Sequence, residues 1–173
     1  MKSQVKHRAK FIITIIVLTS FLPIFSAVAL SNSSYSSQKK HLPMSDYDPH
    51  RDATQDLKQA ISEARRTKKN IILEVGGQWC VWCHIMDQFF QQNPDILRLR
   101  ESNYITVKIN FSPENENKEI LSQYPHIPGY PHLFVLDSSG KLIHSQFTGV
   151  LEKGMSYDRE KVISFLKKWG PTQ

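Results

Sequence analysis

The sequence predicts an α/β domain with a central mixed β-sheet of about four or five strands and helices on both faces. Three observations carry that prediction. Residues 70–75, NIILEV, form a β-branched run of strand length between two stretches of helical periodicity. Residues 104–110, YITVKIN, alternate as a half-buried strand and complete a β–α–β unit. Residues 131–136 and 141–147 flank the turn Asp137-Ser138-Ser139-Gly140, which pairs them as an antiparallel hairpin.

The remaining elements follow in order. In residues 52–68, Leu57, Ala60, Ile61 and Ala64 fall at i, i+3, i+4 and i+7, so one helix face is apolar; Asp52 is placed to cap it, with Gln55 three residues on. After the first strand, Gly76-Gly77-Gln78-Trp79 makes a turn. Residues 80–92 read as a helix with Cys83, Met86 and Phe90 inward, joined by Ile85 and Phe89. Asn93-Pro94 opens a fresh helix, since proline is tolerated at the first helical position. A short helix is expected over 116–124. The last, over 158–169, places Val162, Phe165, Leu166 and Trp169 on one face.

Charge is unevenly spread. The chain of 173 residues carries a formal +6, but Lys2, Lys6, Arg8 and Lys10 precede any acid. Without the first 29 residues, 18 basic residues face 16 acidic ones, a net of +2. Beyond residue 46 the two signs alternate, so no basic face suited to nucleic acid is expected. The basic start, the apolar run over 11–25 and the small residues Ser26-Ala27-Val28-Ala29 have the order of a signal peptide cut near Ala29. The competing reading is an uncleaved anchor, because residues 11–30 are barely long enough to span a bilayer. Either way, the domain is expected outside the cytosol, in a periplasm or secreted. The expected organisation is a signal peptide over 1–29, a flexible Ser-rich linker over 30–45, and one folded domain over 46–173.

The chain has two cysteines, Cys80 and Cys83. A bridge between them closes a very small loop, worth about 2 kcal/mol in the chain-entropy model against about 3 kcal/mol for a 15-residue loop. A mature chain of about 144 residues can build its core without a staple. The spacing therefore suits chemistry better than bracing. The pair sits in Trp79-Cys80-Val81-Trp82-Cys83-His84, after a buried strand and at a helix start. There, unpaired backbone N–H groups and the helix dipole favour the Cys80 thiolate. Cys80 is thus the expected nucleophile, exposed and ionised. Cys83, one turn in and more buried, is the resolving thiol that attacks the mixed disulfide.

Residues 71–86, IILEVGGQWCVWCHIM, resemble the active site of the thioredoxin superfamily, in which an acid on the strand precedes the first cysteine by six positions. Glu74 occupies that place. Ile127-Pro128-Gly129-Tyr130-Pro131 resembles the loop that ends in a cis-proline, Val107-Lys108-Ile109-Asn110 the second core strand, and Gly149 the glycine after the hairpin. The motif is most similar to thioredoxin-like domains with Trp-Cys-x-x-Cys-His-x-Met, including the soluble domain of DsbD-type membrane thiol reductases. The resemblance covers about residues 52–169 and implies a thiol–disulfide oxidoreductase acting in cell redox homeostasis. It implies protein thiols or disulfides as substrates and a membrane thiol reductase or oxidase as redox partner. No cofactor or metal is expected, and the protein is expected to be a monomer.

Within that resemblance Glu74 is the proton acceptor for Cys83, since a buried carboxyl can take and return a proton near working pH; the plainer alternative is a strand carboxylate pairing with Lys108. Lys108 itself reads as a surface lysine, the alternative being that it adjusts the Glu74 carboxylate. Pro131 is expected cis, against the disulfide, and Tyr130 offers backbone hydrogen bonds to an extended substrate segment. Trp79 shields the disulfide, or is a packed surface aromatic. Trp82 is a docking contact or caps the core edge. Val81-Trp82 departs from the family's usual Gly-Pro or Gly-His, which leaves the direction of electron flow open. His84 reads as solvated; His126 and His132 flank the proline loop. Two other classes fit some of these residues. Cys80-Val81-Trp82-Cys83-His84 matches the covalent haem motif, with Met155 or Met44 as the distant ligand. A non-catalytic binding module on the same fold would keep the groove and lack turnover. Zinc held by Cys80, Cys83 and His84 would lack a fourth ligand.

Overall fold

A computed structural model describes residues 46–172, so the expected signal peptide and linker lie outside the described residues. Helix α1 (Ala53–Thr67) starts where Asp52 accepts the Gln55 N–H at 3.0 Å and ends at Lys68, whose φ of 57° stops the helix. Strand β1 (Asn70–Gly76) leads through Gly77-Gln78-Trp79 into α2 (Val81–Gln92), with Cys80 as its N-cap. Pro94 opens α3 (Pro94–Asn103), as its missing N–H allows. Then come β2 (Tyr104–Asn110), α4 (Lys118–Leu121), β3 (His132–Leu136) and β4 (Leu142–Phe147). The turn between β3 and β4 depends on Gly140, whose φ of 90° suits glycine, and on Asp137 Oδ1, which accepts the N–H groups of Ser139 and Lys141.

The sheet order is β2-β1-β3-β4. Strands β1 and β2 run parallel, while β3 is antiparallel to β1 and to β4. This is the mixed four-stranded sheet expected from a β–α–β unit followed by a hairpin. After a 3₁₀ turn (Thr148–Leu151) the chain forms a second hairpin, β5 (Glu152–Lys153) with β6 (Ser156–Tyr157), before α5 (Arg159–Lys168). That hairpin has no counterpart in the sequence reading: strands of two residues are too short to leave a periodicity. The expected helix over 116–124 is also shorter, one turn at Lys118–Leu121.

Alternation along β1 divides the core. Ile71, Leu73 and Val75 face α1 and α4, meeting Ala60, Ala64 and Ile120. Ile72 faces α2, α3 and α5, meeting Met86, Phe90, Ile96 and Phe165. Each fully buried apolar side chain of this size contributes roughly 1.5–3 kcal/mol. Glu74 has the parity of Ile72, so a carboxylate enters this layer beneath α2, where Arg100 and Lys108 are buried too.

Candidate active site

Cys80 and Cys83 are joined as a disulfide at the start of α2. The Cys83 N–H donates to Cys80 Sγ at 3.1 Å, so a first-turn amide points at the first sulfur. The preceding turn is closed by the Cys80 N–H on the Gly77 carbonyl. The expectation of an exposed first sulfur does not hold for this oxidised form: Cys80 is 3% exposed and Cys83 fully buried. The bond draws the first sulfur down against the second, and Tyr47 and Tyr130 pack around both. The sulfurs differ in their backbone setting instead, because only Cys80 occupies the cap. Gly76 is required beneath them. A Cβ there would overlap Cys83 Sγ and stand 3.0 Å from the Tyr47 ring and hydroxyl.

Glu74 lies buried below the pair, and the structure surrounds it with groups from four elements. Tyr47 donates its hydroxyl to Glu74 Oε1 at 2.6 Å. Lys108 Nζ is 3.6 Å from the same oxygen, and Arg100 Nη1 is 3.9 Å from Oε2. Lys108 hydrogen-bonds both oxygens of Asp87 on α2, at 2.6 and 2.5 Å, and also lies over the Tyr47 ring. The surface reading of Lys108 is therefore corrected: its side chain is 4% exposed, because β2 is an edge strand covered on this face by α2 and the segment at Tyr47. Burial, reinforced by Glu74's charge, holds the Tyr47 phenol well above its ordinary range. Burial and the same charge raise the Asp87 carboxyl, with Lys108 opposing. Burial lowers the Arg100 guanidinium, against the pull of both carboxylates.

The Tyr130–Pro131 peptide is cis, and Pro131 is buried. Tyr130 stacks on Phe111 and takes the edge of Trp79, each with ring centroids 5.3 Å apart. Trp79 stays 52% exposed while its Nε1–H donates to the Phe111 carbonyl at 2.7 Å. Trp82 turns inward, edge-on to Tyr157, whose hydroxyl donates to the Trp82 carbonyl at 3.3 Å. Val81 is 68% exposed beside Cys80, and Phe147 covers Gly129 on the proline loop. His84 is exposed and bonds the Gln78 carbonyl. His126 is exposed. His132 is buried, bonded to Ser145 Oγ at 2.8 Å, and pushed down to about 4 by burial and by His144 and His126. The haem alternative needs two sulfurs free to form thioethers; here they are bonded to each other.

A family model described as thioredoxin-like matches residues 52–138, half of the chain. The chain belongs to the thioredoxin-like family. A solved structure titled as a disulphide isomerase from Xylella fastidiosa Temecula1 superposes on this thioredoxin-like domain with a TM-score of 0.61 and 27% identity. The match covers 70% of this chain and 94% of that one. The thiol:disulfide interchange protein DsbD of Pseudomonas fluorescens is 25% identical over 120 residues, 68% of this chain and 19% of that protein. Human spermatogenesis-associated protein 20 is 38% identical over 52 residues, 30% of this chain and 7% of its own length. The chain thus spans a minor part of both curated relatives.

In this thioredoxin-like domain, sequence reasoning missed Tyr47, Asp87 and Arg100. Asp87 carried one usable signal: it follows Cys83 by four residues, one turn further along the same helix face. Arg100, on a helix with a weak apolar stripe, and Tyr47, ahead of the first helix, carried none.

Proposed function

We propose that this domain is an exported thiol–disulfide oxidoreductase that exchanges disulfides with protein substrates. The observation that carries the reading is the Cys80–Cys83 pair at the amino end of α2, with the Cys83 N–H donating to Cys80 Sγ. In the reduced protein the same amide and the helix dipole favour a Cys80 thiolate. That thiolate attacks a substrate disulfide, and the more distant substrate sulfur leaves. Cys83 then passes its proton toward Glu74 and attacks Cys80 Sγ; the second substrate sulfur leaves as a thiolate. Two electrons pass from the dithiol to the substrate, and the reverse sequence oxidises one. The direction follows from the potential of the pair relative to its partner, for which we propose a membrane thiol reductase or oxidase.

The apolar rim of Trp79, Val81, Tyr130 and Phe147 supports binding of an unfolded or extended protein segment. We assign Trp79, Trp82, Tyr130 and Pro131 to substrate binding, with Tyr130 as the backbone edge for an added strand. The names of the relatives, an interchange protein and an isomerase, agree with that chemistry. Export by residues 1–29 to a periplasm, a linker over 30–45 and a monomeric working domain complete the proposal.

Insulin reduction by wild type and Cys80→Ser tests the reading. Loss of turnover in the variant is expected; equal rates would leave a binding module.

A further inference from the structure

The proposed exchange reaction, on which this inference rests, needs a route for the Cys83 proton. Tyr47 belongs to no motif, yet it is 2% exposed and packs with Cys80 and Cys83. Its hydroxyl donates to Glu74 Oε1 at 2.6 Å. Gly76 fixes how near this phenol is to the chemistry. A Cβ on that residue would meet Cys83 Sγ and the Tyr47 hydroxyl together, so sulfur and phenol oxygen both border the space one methyl group would fill. The cations stand farther from the carboxylate. Lys108 is 3.6 Å away and spends its hydrogen bonds on Asp87; Arg100 is 3.9 Å away and lies over the Phe90 ring. Among the described residues, Tyr47 makes the one hydrogen bond to the Glu74 side chain. The phenol is held in its protonated form by burial and by Glu74's charge, so it enters the reaction as a donor.

We propose that the Tyr47 hydroxyl relays the Cys83 proton to Glu74. As Cys83 attacks the mixed disulfide, its thiol proton moves to the Tyr47 oxygen and the phenolic proton moves to Glu74 Oε1. The electron pair left on Cys83 Sγ forms the bond to Cys80 Sγ, the bond from Cys80 to the substrate breaks, and the substrate sulfur departs as a thiolate. Tyr47 ends with one proton, as it began, and Glu74 ends as the neutral acid. Tyr47 thereby joins a buried carboxylate to a buried sulfur through a single hydroxyl.

The test mixes reduced full-length protein with 5,5′-dithiobis(2-nitrobenzoate) in a stopped-flow instrument. Attack by Cys80 releases one coloured thiolate, and attack by Cys83 on the resulting mixed disulfide releases the second. In Tyr47→Phe the second phase is expected to slow relative to the first by about a hundredfold or more, within the range of a positioned acid–base group. Adding Tyr47→Phe to Glu74→Gln is expected to slow it no further. In mixtures of light and heavy water, the second-phase rate of wild type is expected to curve with deuterium fraction, for two protons in flight, and to become linear in Tyr47→Phe. An unaltered second phase in Tyr47→Phe, or a slower one with the wild-type curvature, overturns the relay and leaves the exchange reading standing. A linear dependence in wild type overturns it as well, whether or not the variant folds. A wild type that releases no second thiolate overturns the exchange reading and the relay with it.

Discussion

Lys108 and Glu74 are partners in the parallel ladder of β2 and β1, with Nζ 3.6 Å from Oε1, yet the lysine's short contacts go to Asp87 on α2. One buried cation thus stands between two carboxylates under the disulfide. Removing it takes the direct partner from Asp87 and leaves buried Glu74 with Arg100, 3.9 Å away, as its one remaining cation among the described residues. Lys108→Met is expected to cost about 3–5 kcal/mol, the range for breaking a buried pair by deleting one partner. Urea unfolding of the oxidised protein measures it, and a cost under about 1 kcal/mol would place the pair in the class of exposed ion pairs.

Cys83→Ser removes the sulfur proposed to resolve mixed disulfides but leaves the α2 cap, Cys80, intact. It is expected to accumulate mixed disulfides through Cys80, visible as extra bands on a non-reducing gel that vanish with reductant. Cys80→Ser is expected to accumulate none. A reversed pattern would exchange the two roles.

Gly76→Ala places a methyl group where Cys83 Sγ and Tyr47 already meet. Overpacking of this kind costs roughly 1–3 kcal/mol. The cost is expected to be specific to the site, so the variant should both unfold at lower urea and resolve mixed disulfides more slowly. Wild-type stability would show that the backbone of β1 yields there.

His132 gives the fold a pH dependence. Its folded value is pushed down to about 4, below the ordinary 6.5, so the unfolded chain binds the extra proton between those values. The stability His132 confers is complete above the unfolded value and is lost as pH falls toward the folded one. By about pH 4.5 the loss is expected to be about 2.5 kcal/mol, because each step of one in pH across that window removes roughly 1.4 kcal/mol. His132→Leu should remove that part of the acid sensitivity. Parallel stability–pH curves for variant and wild type would refute the assignment.

Features that depend on neighbours along the chain were legible before any fold was known. The helix of residues 53–67 is readable because Ala60 and Ala64 repeat at one turn and Asp52 caps it; the strand of residues 70–76 because its branched run is buried on both faces; the cysteine pair because three positions bring two sulfurs together at a helix start. The surroundings of that pair came from folding alone. Glu74 was marked by its place six positions before Cys80, but Tyr47, Asp87, Arg100 and Lys108 come from four other segments, and each alone reads as an ordinary polar or aromatic residue. Hydrophobic periodicity says which face of an element is covered, but not which distant side chain covers it. Lys108 therefore became a buried ion only when α2 and the Tyr47 segment closed over the sheet, where lost hydration is offset by paired charge.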